Sequence, residues 1–267
     1  MTNKVITLFC LIIAIMNAAC TNKEDKPDSA VTVAEEQQLK NEIVSHPDSL
    51  LLTENLVQYY RDNGNYGAAI KTVNSAINKD SINPRLWDMA ATLHFENRDT
   101  LSSIIAFEKA IDIYPDPVYI ISLGTLYAQT KNEKALALAD ALLMASKSKA
   151  DKEAYFIKGL YYNYTGNKNK AIVFFDKCLS LSYTFMDAYR EKAIALYDLD
   201  KYNEALAVLD KAVTLQNNFD EGYFYMGRCL EKLNRKQEAV EAYQKALMYD
   251  PGYSEAKDAL AKLGYKQ

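Results

Sequence analysis

Residues 241–253 read EAYQKALMYDPGY, and residues 105–117 read IAFEKAIDIYPDP. Each stretch holds an aromatic residue, an alanine three positions later and a proline five positions after that. The separations from Phe107 to Tyr243, from Ala110 to Ala246 and from Pro115 to Pro251 are equal. Each separation equals four repeats of about 34 residues, a length that is typical of a structural unit repeated along a chain.

Like residues fall into columns when the chain is written in rows of that length from Leu50. Columns of small residues alternate with columns of large ones at helical spacing. This pattern predicts that each row forms helices whose small positions receive the large side chains of a neighbour. One small column holds Val57, Ala91, Gly159, Ala193 and Gly227, and one large column holds Val73, Phe107, Phe175, Leu209 and Tyr243.

Two kinds of break interrupt the rows. Short polar stretches such as NGNYG at 63–67 and TGNKN at 165–169 fall in the middle of a row and predict turns. A proline near the end of a row, such as Pro115 or Pro251, cannot continue a helix interior. Each row is therefore predicted to be a hairpin of two helices.

A helical hairpin of about 34 residues with this pattern of small residues, large residues and proline resembles the tetratricopeptide repeat. The resemblance implies an all-α solenoid of about six hairpins, closed by an N-terminal half-repeat and a C-terminal capping helix over residues 254–267. The third row has its small residues one place early, which predicts an irregular junction around residues 144–152. The predicted repeats cover residues 50–83, 84–117, 118–151, 152–185, 186–219 and 220–253.

Composition excludes several classes of function. The net charge of −4 provides no basic footprint for nucleic acid. The chain has only two histidines, and it lacks a glycine-rich phosphate loop, metal-ligand spacing and a recognisable nucleophile motif. The sequence therefore predicts a protein that is not an enzyme and that needs no cofactor or metal.

The N-terminus differs from the rest of the chain. A lysine is followed by the apolar run VITLFCLIIAI and then by MNAAC, which ends at Cys20. This arrangement resembles a bacterial lipoprotein signal, which implies removal of residues 1–19 and acylation of Cys20. An ordinary secretory signal is the alternative. Residues 20–34 are polar and predicted to be a flexible tether, followed by the solenoid over residues 35–267.

The expected location is the cell envelope, as an outer-membrane lipoprotein. Lys23, Glu24 and Asp25 closely follow Cys20 and resemble the signal that sends some lipoproteins to the outer face of the cell. Display on the surface and attachment facing the periplasm are both left open by the sequence.

The two remaining cysteines, Cys178 and Cys229, fall on different rows with another row between them. That separation is beyond the reach of a disulfide bond. Both are therefore predicted to be small buried side chains with free thiols.

In the tetratricopeptide fold, the first helix of each hairpin lines a concave groove. The resemblance implies a groove with an aromatic strip flanked by cations, which suits a peptide that carries an acidic residue. The alternative is that these side chains pack between repeats. Because surface charges contribute little to folding, replacing Arg190 and Arg228 with Glu is expected to leave stability nearly unchanged. The predicted groove residues are Phe156, Leu160, Tyr164, Arg190, Ile194, Tyr197, Phe224 and Arg228.

Two functions are consistent with these observations. The first is a membrane-anchored scaffold that binds a protein or peptide partner in a cell-envelope assembly, such as secretion, pilus or outer-membrane biogenesis machinery. The alternative is a surface lipoprotein that captures glycans or nutrients by stacking them on aromatic rings. Binding to an acidic peptide is sensitive to salt, whereas stacking of a sugar is not.

The lipid anchor provides the first test. Cys20→Ser is expected to release the protein from membranes and to leave its precursor unprocessed, because acyl chains on that thiol provide the attachment. Fractionation of cells and the mass of the protein measure both effects. A variant that is still processed and still bound to the membrane would contradict the assignment.

Overall fold

The computed structural model describes residues 29–145 and 149–265. This part of the chain contains fourteen α-helices and no β-strand, as the repeat pattern predicted. Within it, every helix is too short or too polar to cross a bilayer. The predicted signal peptide and Cys20 lie outside the described residues. The helices are α1 Ser29–Ser45, α2 Leu50–Asp62, α3 Tyr66–Lys79, α4 Pro84–Glu96, α5 Thr100–Ile113, α6 Pro117–Gln129, α7 Lys134–Met144, α8 Asp151–Tyr164, α9 Lys168–Leu181, α10 Met186–Asp198, α11 Tyr202–Leu215, α12 Asp220–Lys232, α13 Lys236–Tyr249 and α14 Ser254–Lys262.

The described residues form two compact units, which divide between Tyr127 and Ala128. In the N-terminal unit, α1 packs on α2, α2 on α3, α3 on α4 and α4 on α5. In the C-terminal unit, the same is true from α7 to α14. The helices α8, α10 and α12 of the C-terminal unit also contact one another, so the first helices of successive hairpins lie side by side.

The second helix of every hairpin begins at the same place in its row. The helices α3, α5, α7, α9, α11 and α13 each start one full row after the one before. In three of them, the side chain before the helix accepts a hydrogen bond from a backbone N–H three residues on: Asn65 in α3, Asp99 in α5 and Asn167 in α9. These N-caps satisfy donors that the first helical turn leaves unpaired, so they fix where the helix begins.

A residue with a left-handed backbone ends the first helix of each hairpin, as is common at helix C-termini. Four of the six positions are occupied by residues other than glycine. Lys131 in the third hairpin stands one place earlier in its row than Arg98 and Gly166 stand in theirs. One residue is therefore missing before this turn. The buried residues of α7 also stand early in their row, so the register is regained after α7, as the sequence predicted. Residues 146–148 of the predicted irregular junction lie outside the described residues. The left-handed residues are Gly64, Arg98, Lys131, Gly166, Asp200 and Asn234.

The two ends of the described chain are both helical. α1 begins at Ser29, inside the stretch predicted to be a tether, and packs against α2. The Tyr60 hydroxyl donates a hydrogen bond to Glu36 at 2.7 Å, which joins the two helices. At the other end, α14 packs against α13 through the buried side chains of Ala256 and Leu260. Both terminal helices therefore cover a neighbouring helix.

Within the C-terminal unit, hairpins close on contacts between a glycine and an aromatic ring. A Cβ atom on Gly159 would lie 2.4 Å from the ring of Phe175, and one on Gly227 would lie 2.5 Å from the ring of Tyr243. Both rings are fully buried. The small and large columns of the sequence are therefore the two sides of one contact.

Cys178 and Cys229 are free and buried, as the sequence predicted. Burial raises the pKa of each thiol to about 12. A thiol with such a pKa is protonated at neutral pH and is a poor nucleophile. The two cysteines therefore act as small apolar side chains in the core.

The glycine-to-ring contact predicts a large effect of one methyl group. Gly227→Ala places a methyl group against the buried Tyr243 ring and is expected to destabilise the fold by about 1–3 kcal/mol. Gly67→Ala is the control, because a Cβ atom there would lie 3.9 Å from the nearest side-chain atom. Since alanine favours a helix, this variant is expected to be neutral or stabilising by up to about 1 kcal/mol. Thermal melting of both variants measures the difference. Equal melting temperatures would show that the contact is not tight.

Candidate partner-binding surface

The residues predicted to bind a partner lie on α8, α10 and α12, the adjacent first helices of the C-terminal unit. Five of the eight are at least partly exposed and lie on the same side of these helices. We call this set the first-helix face. It consists of Tyr164, Arg190, Ile194, Tyr197 and Arg228.

The other three predicted residues, Phe156, Leu160 and Phe224, are buried, with 4%, 3% and 9% of their surface exposed. The Phe156 ring lies 4.9 Å from that of Phe185, and the Phe224 ring lies 4.9 Å from that of Tyr253. The two rings of each contact belong to the same predicted repeat, so these phenylalanines pack within their own repeat and do not line an open groove. They offer little surface to a partner.

Arg190 is held by carboxylates on two helices. Its Nη1 atom donates a hydrogen bond to Glu221 of α12 at 2.6 Å and lies 3.0 Å from Asp187 on its own helix. Its Nη2 atom lies 3.4 Å from Glu191. Arg190 occupies the column of Phe156 and Phe224, which explains why its side chain is turned into the protein. It is not the free cation that the sequence predicted.

This cluster continues toward α8 and α9. The buried Asn163 side chain donates a hydrogen bond to Glu191 at 3.2 Å and accepts one from Lys168 at 2.8 Å. Lys168 also forms an ion pair with Asp198 at 2.6 Å. The polar chain thus joins four helices of the C-terminal unit. Glu191 and Asn163 were missed from the sequence because each is a single polar residue on an otherwise apolar helix face.

Burial governs the protonation of this cluster. It raises the pKa of Glu191 and of Glu221, and Arg190 opposes the shift in both cases. Burial by itself lowers the pKa of Arg190, but Glu221, Glu191 and Asp187 raise it by more, so the guanidinium stays charged. Three carboxylates around one guanidinium leave an excess of negative charge. This end of the face therefore disfavours an acidic partner residue.

The other end of the first-helix face is cationic. The Arg228 guanidinium lies 4.6 Å from the ring centroid of Tyr197 and 5.6 Å from that of Tyr225. Lys232 lies 6.0 Å from the same Tyr197 ring. Among the described residues, no carboxylate forms an ion pair with Arg228. Arg228 is thus oriented by aromatic rings and remains available to an anionic group.

The two ends of the first-helix face carry opposite charges. The described residues contain no group of three or more His, Cys, Asp or Glu side chains arranged to hold a metal ion. The exposed tyrosines, with Tyr164 at 41% of its surface, provide flat contact area with hydroxyl groups. A negative end and a positive end on one face suit a polypeptide segment that carries both charges.

The burial of Arg190 changes the stability expected of its variants. Arg190→Met is expected to destabilise the fold by about 3 kcal/mol, the lower end for a broken buried ion pair, because 21% of its side chain is exposed. Lys192→Met is the control: its partner Asp176 is 55% exposed, so less than about 1 kcal/mol is expected. Thermal melting of both variants measures the difference.

The same variant has an expected pH dependence. Glu191 and Glu221 have raised pKa values in the folded chain, so their ionised forms oppose folding and their protonation relieves that opposition. The loss in Arg190→Met should therefore shrink as the pH falls from about 7 to about 5. A loss that is constant with pH would show that the carboxylates do not cause it.

Family models described as tetratricopeptide repeat match three parts of the chain, residues 55–116, 152–185 and 220–253. No curated protein sequence matches the chain.

Solved structures with similar folds cover most of the chain. A tetratricopeptide repeat protein from Parabacteroides merdae is 21% identical with a TM-score of 0.72, and the alignment covers 88% of this chain and 93% of that one. PilW, a type IV pilus biogenesis factor, is 18% identical with a TM-score of 0.64 and coverage of 78% and 97%. The C-terminal part of a repeat protein from Cytophaga hutchinsonii is 19% identical with a TM-score of 0.53 and coverage of 78% and 84%. The chain thus contains tetratricopeptide repeats, and its fold is an all-α tetratricopeptide solenoid.

Proposed function

We propose that this protein is a membrane-anchored scaffold that holds a segment of a partner protein on the first-helix face of its C-terminal unit. Tetratricopeptide repeats act in protein–protein interaction, and the matched repeats support that general role here. The described residues offer a surface of mixed charge and exposed tyrosine.

The observation that carries the proposal is the state of Arg228. A guanidinium is usually paired when it is partly buried, but Arg228 is held between the rings of Tyr197 and Tyr225 with no carboxylate partner in the described structure. A partner carboxylate can therefore bind it without displacing an existing ion pair. Stacking also fixes the side chain before binding, which lowers the entropic cost of binding.

The partner segment is expected to carry two charges. An acidic residue binds at Arg228, and a basic residue or an uncharged polar residue lies near Glu221. The sequence predicted a segment with an acidic residue; the basic or polar residue is added here because Arg190 is already paired with carboxylates. Ile194 and Tyr197 on α10 separate the two ends and provide apolar contact between them.

The cell envelope is the proposed location. The sequence around Cys20 supports a lipid anchor, and Lys23, Glu24 and Asp25 are compatible with display on the outer face. PilW, which has a similar fold, is described as a pilus biogenesis factor. Secretion, pilus and outer-membrane biogenesis machinery are therefore the classes of assembly proposed for the partner.

Photo-crosslinking in intact cells tests the proposal. A photoreactive residue at Ile194 is expected to give a crosslinked product that the same residue at Met248 does not, because Met248 is an exposed position on α13 outside the face. Arg228→Glu should abolish the product, whereas Arg228→Lys should retain part of it because the charge is kept. Both variants should melt like the wild type, because the guanidinium forms no ion pair.

Two outcomes would contradict this function. The same product from Ile194 and Met248 would show that contact is not specific to the face. Loss of a bound glycan, rather than of a protein, in Arg228→Glu would favour the nutrient-capture alternative. The salt dependence of binding distinguishes the scaffold from the nutrient-capture function. Raising the ionic strength weakens binding of a charged peptide and leaves sugar stacking unchanged.

A further inference from the structure

A second group of aromatic side chains lies on α8 and α9. The Phe174 ring stacks on Tyr162, with centroids 5.5 Å apart and an angle of 9° between the planes, and on Tyr155, at 6.3 Å and 25°. Tyr155 and Tyr162 are seven residues apart and so share one side of α8. Tyr164 lies half a turn from Tyr155 around the helix, which places these rings on the side of α8 opposite the first-helix face.

Two exposed lysines of α9 lie over these rings. The Lys170 ammonium is 3.9 Å from the Tyr162 ring centroid and donates a hydrogen bond to its hydroxyl at 2.7 Å. The Lys177 ammonium is 5.2 Å from the centroid of Phe174 and 5.5 Å from that of Tyr155. In the described structure, neither ammonium forms an ion pair with a carboxylate. We call these five residues the α8–α9 patch.

A third lysine nearby does not belong to the patch. Lys158 also lies near the Phe174 ring, at 5.7 Å, but its ammonium is neutralised by Asp140 at 2.5 Å. Asp176, which follows the patch on α9, is bound by Lys192 at 2.6 Å. The carboxylates closest in sequence to the patch lysines are thus paired elsewhere, and Lys170 and Lys177 retain their positive charge on the surface.

The neighbouring hairpins of the same unit show which part of the patch is particular to it. Lys211 lies over Tyr189 and Lys245 lies over Tyr223, as Lys177 lies over Tyr155, so that single contact recurs in each of these rows and belongs to the repeat itself. The other patch positions differ. Where the patch has Lys170 and Phe174, the next two hairpins have Glu204 with Val208, and Glu238 with Ala242.

We propose that the α8–α9 patch is a second docking surface, which binds an acidic segment of a partner protein. In this hairpin two exposed ammonium groups without a carboxylate partner in the described structure lie beside three stacked rings, in a chain whose net charge is −4. The ring faces are covered by one another and by the ammonium groups, so an approaching ligand meets cations and ring edges. This arrangement favours carboxylates over the open ring faces that sugars require.

The spacing of the two lysines defines the ligand further. Lys170 and Lys177 are two helical turns apart, which separates them by about 10.5 Å along α9. Acidic residues seven positions apart on a partner helix have the same separation and can bind both ammonium groups at once. The Phe174 ring between the lysines provides an apolar contact for the intervening turn.

Fluorescence anisotropy with a defined probe tests the proposal. The probe is a labelled helical peptide with glutamates seven positions apart, and the control peptide has glutamine at those positions. The full chain, purified in detergent, is expected to bind the acidic probe and not the control. Lys170→Glu combined with Lys177→Glu should weaken binding about tenfold or more, because two attractive charges become repulsive.

The repeat itself provides the matched variant. Lys211→Glu combined with Lys245→Glu removes the same lysine-over-tyrosine contact from the next two hairpins and should leave probe binding within about twofold of wild type. Arg228→Glu should also leave it unchanged, which separates this surface from the first-helix face. Melting curves confirm that each variant is folded.

Several results would overturn the assignment. The first is failure of the wild type to bind the probe. The second is an equal loss of probe binding when Lys170 and Lys177 or Lys211 and Lys245 are replaced. The third is a loss of probe binding in Arg228→Glu as large as in the patch variant. Vesicles containing phosphatidylglycerol form a further arm. Tighter binding to these vesicles than to the probe, lost in the same patch variant, would assign the patch to a membrane surface instead of a protein.

Discussion

The close approach of the two helices within a hairpin is the constraint on which the C-terminal unit depends. Helices pack at this distance only where one of them lacks a side chain, and Gly159 and Gly227 provide those positions opposite Phe175 and Tyr243. The ring then fills the space beside the glycine, and the Tyr243 hydroxyl reaches Glu231 on the first helix. One contact thus fixes the distance between the helices, their register and a polar link across them.

This constraint explains why the fold could be predicted from the sequence. The same contact is required in each hairpin, so a small residue and its large partner recur from row to row. Several columns of the sequence therefore indicate the same helical hairpin. A feature that occurs only once in the chain cannot be predicted from the repeat in this way. α1 begins at Ser29, earlier than expected, because its first turn lies outside the repeat, and nothing in the spacing marks where it starts.

The candidate site was harder to predict, because the position of a residue on a helix does not determine its depth. Phe156, Arg190 and Phe224 share one column, and that column faces the interior of the protein. The two phenylalanines are simply buried there. An arginine in the same place needs carboxylates, and Asp187, Glu191 and Glu221 provide them. Ion pairs between adjacent hairpins depend on the tertiary packing, which the repeat spacing of the sequence does not predict.

The position of the left-handed residue Lys131 shows how a repeat chain can tolerate the loss of one residue. Lys131 stands one place early, yet α7 still begins one full row after α5, because the turn before α7 has four residues where the other hairpins have three. The missing residue precedes α6, which has 13 residues like α4. The buried Ala135, Ala139 and Leu142 of α7 each lie two residues short of a full row from their counterparts in α5, so the register is regained only after α7. Insertions and deletions of one residue can therefore be absorbed locally, and the hairpins beyond keep the register on which their own glycine contacts depend.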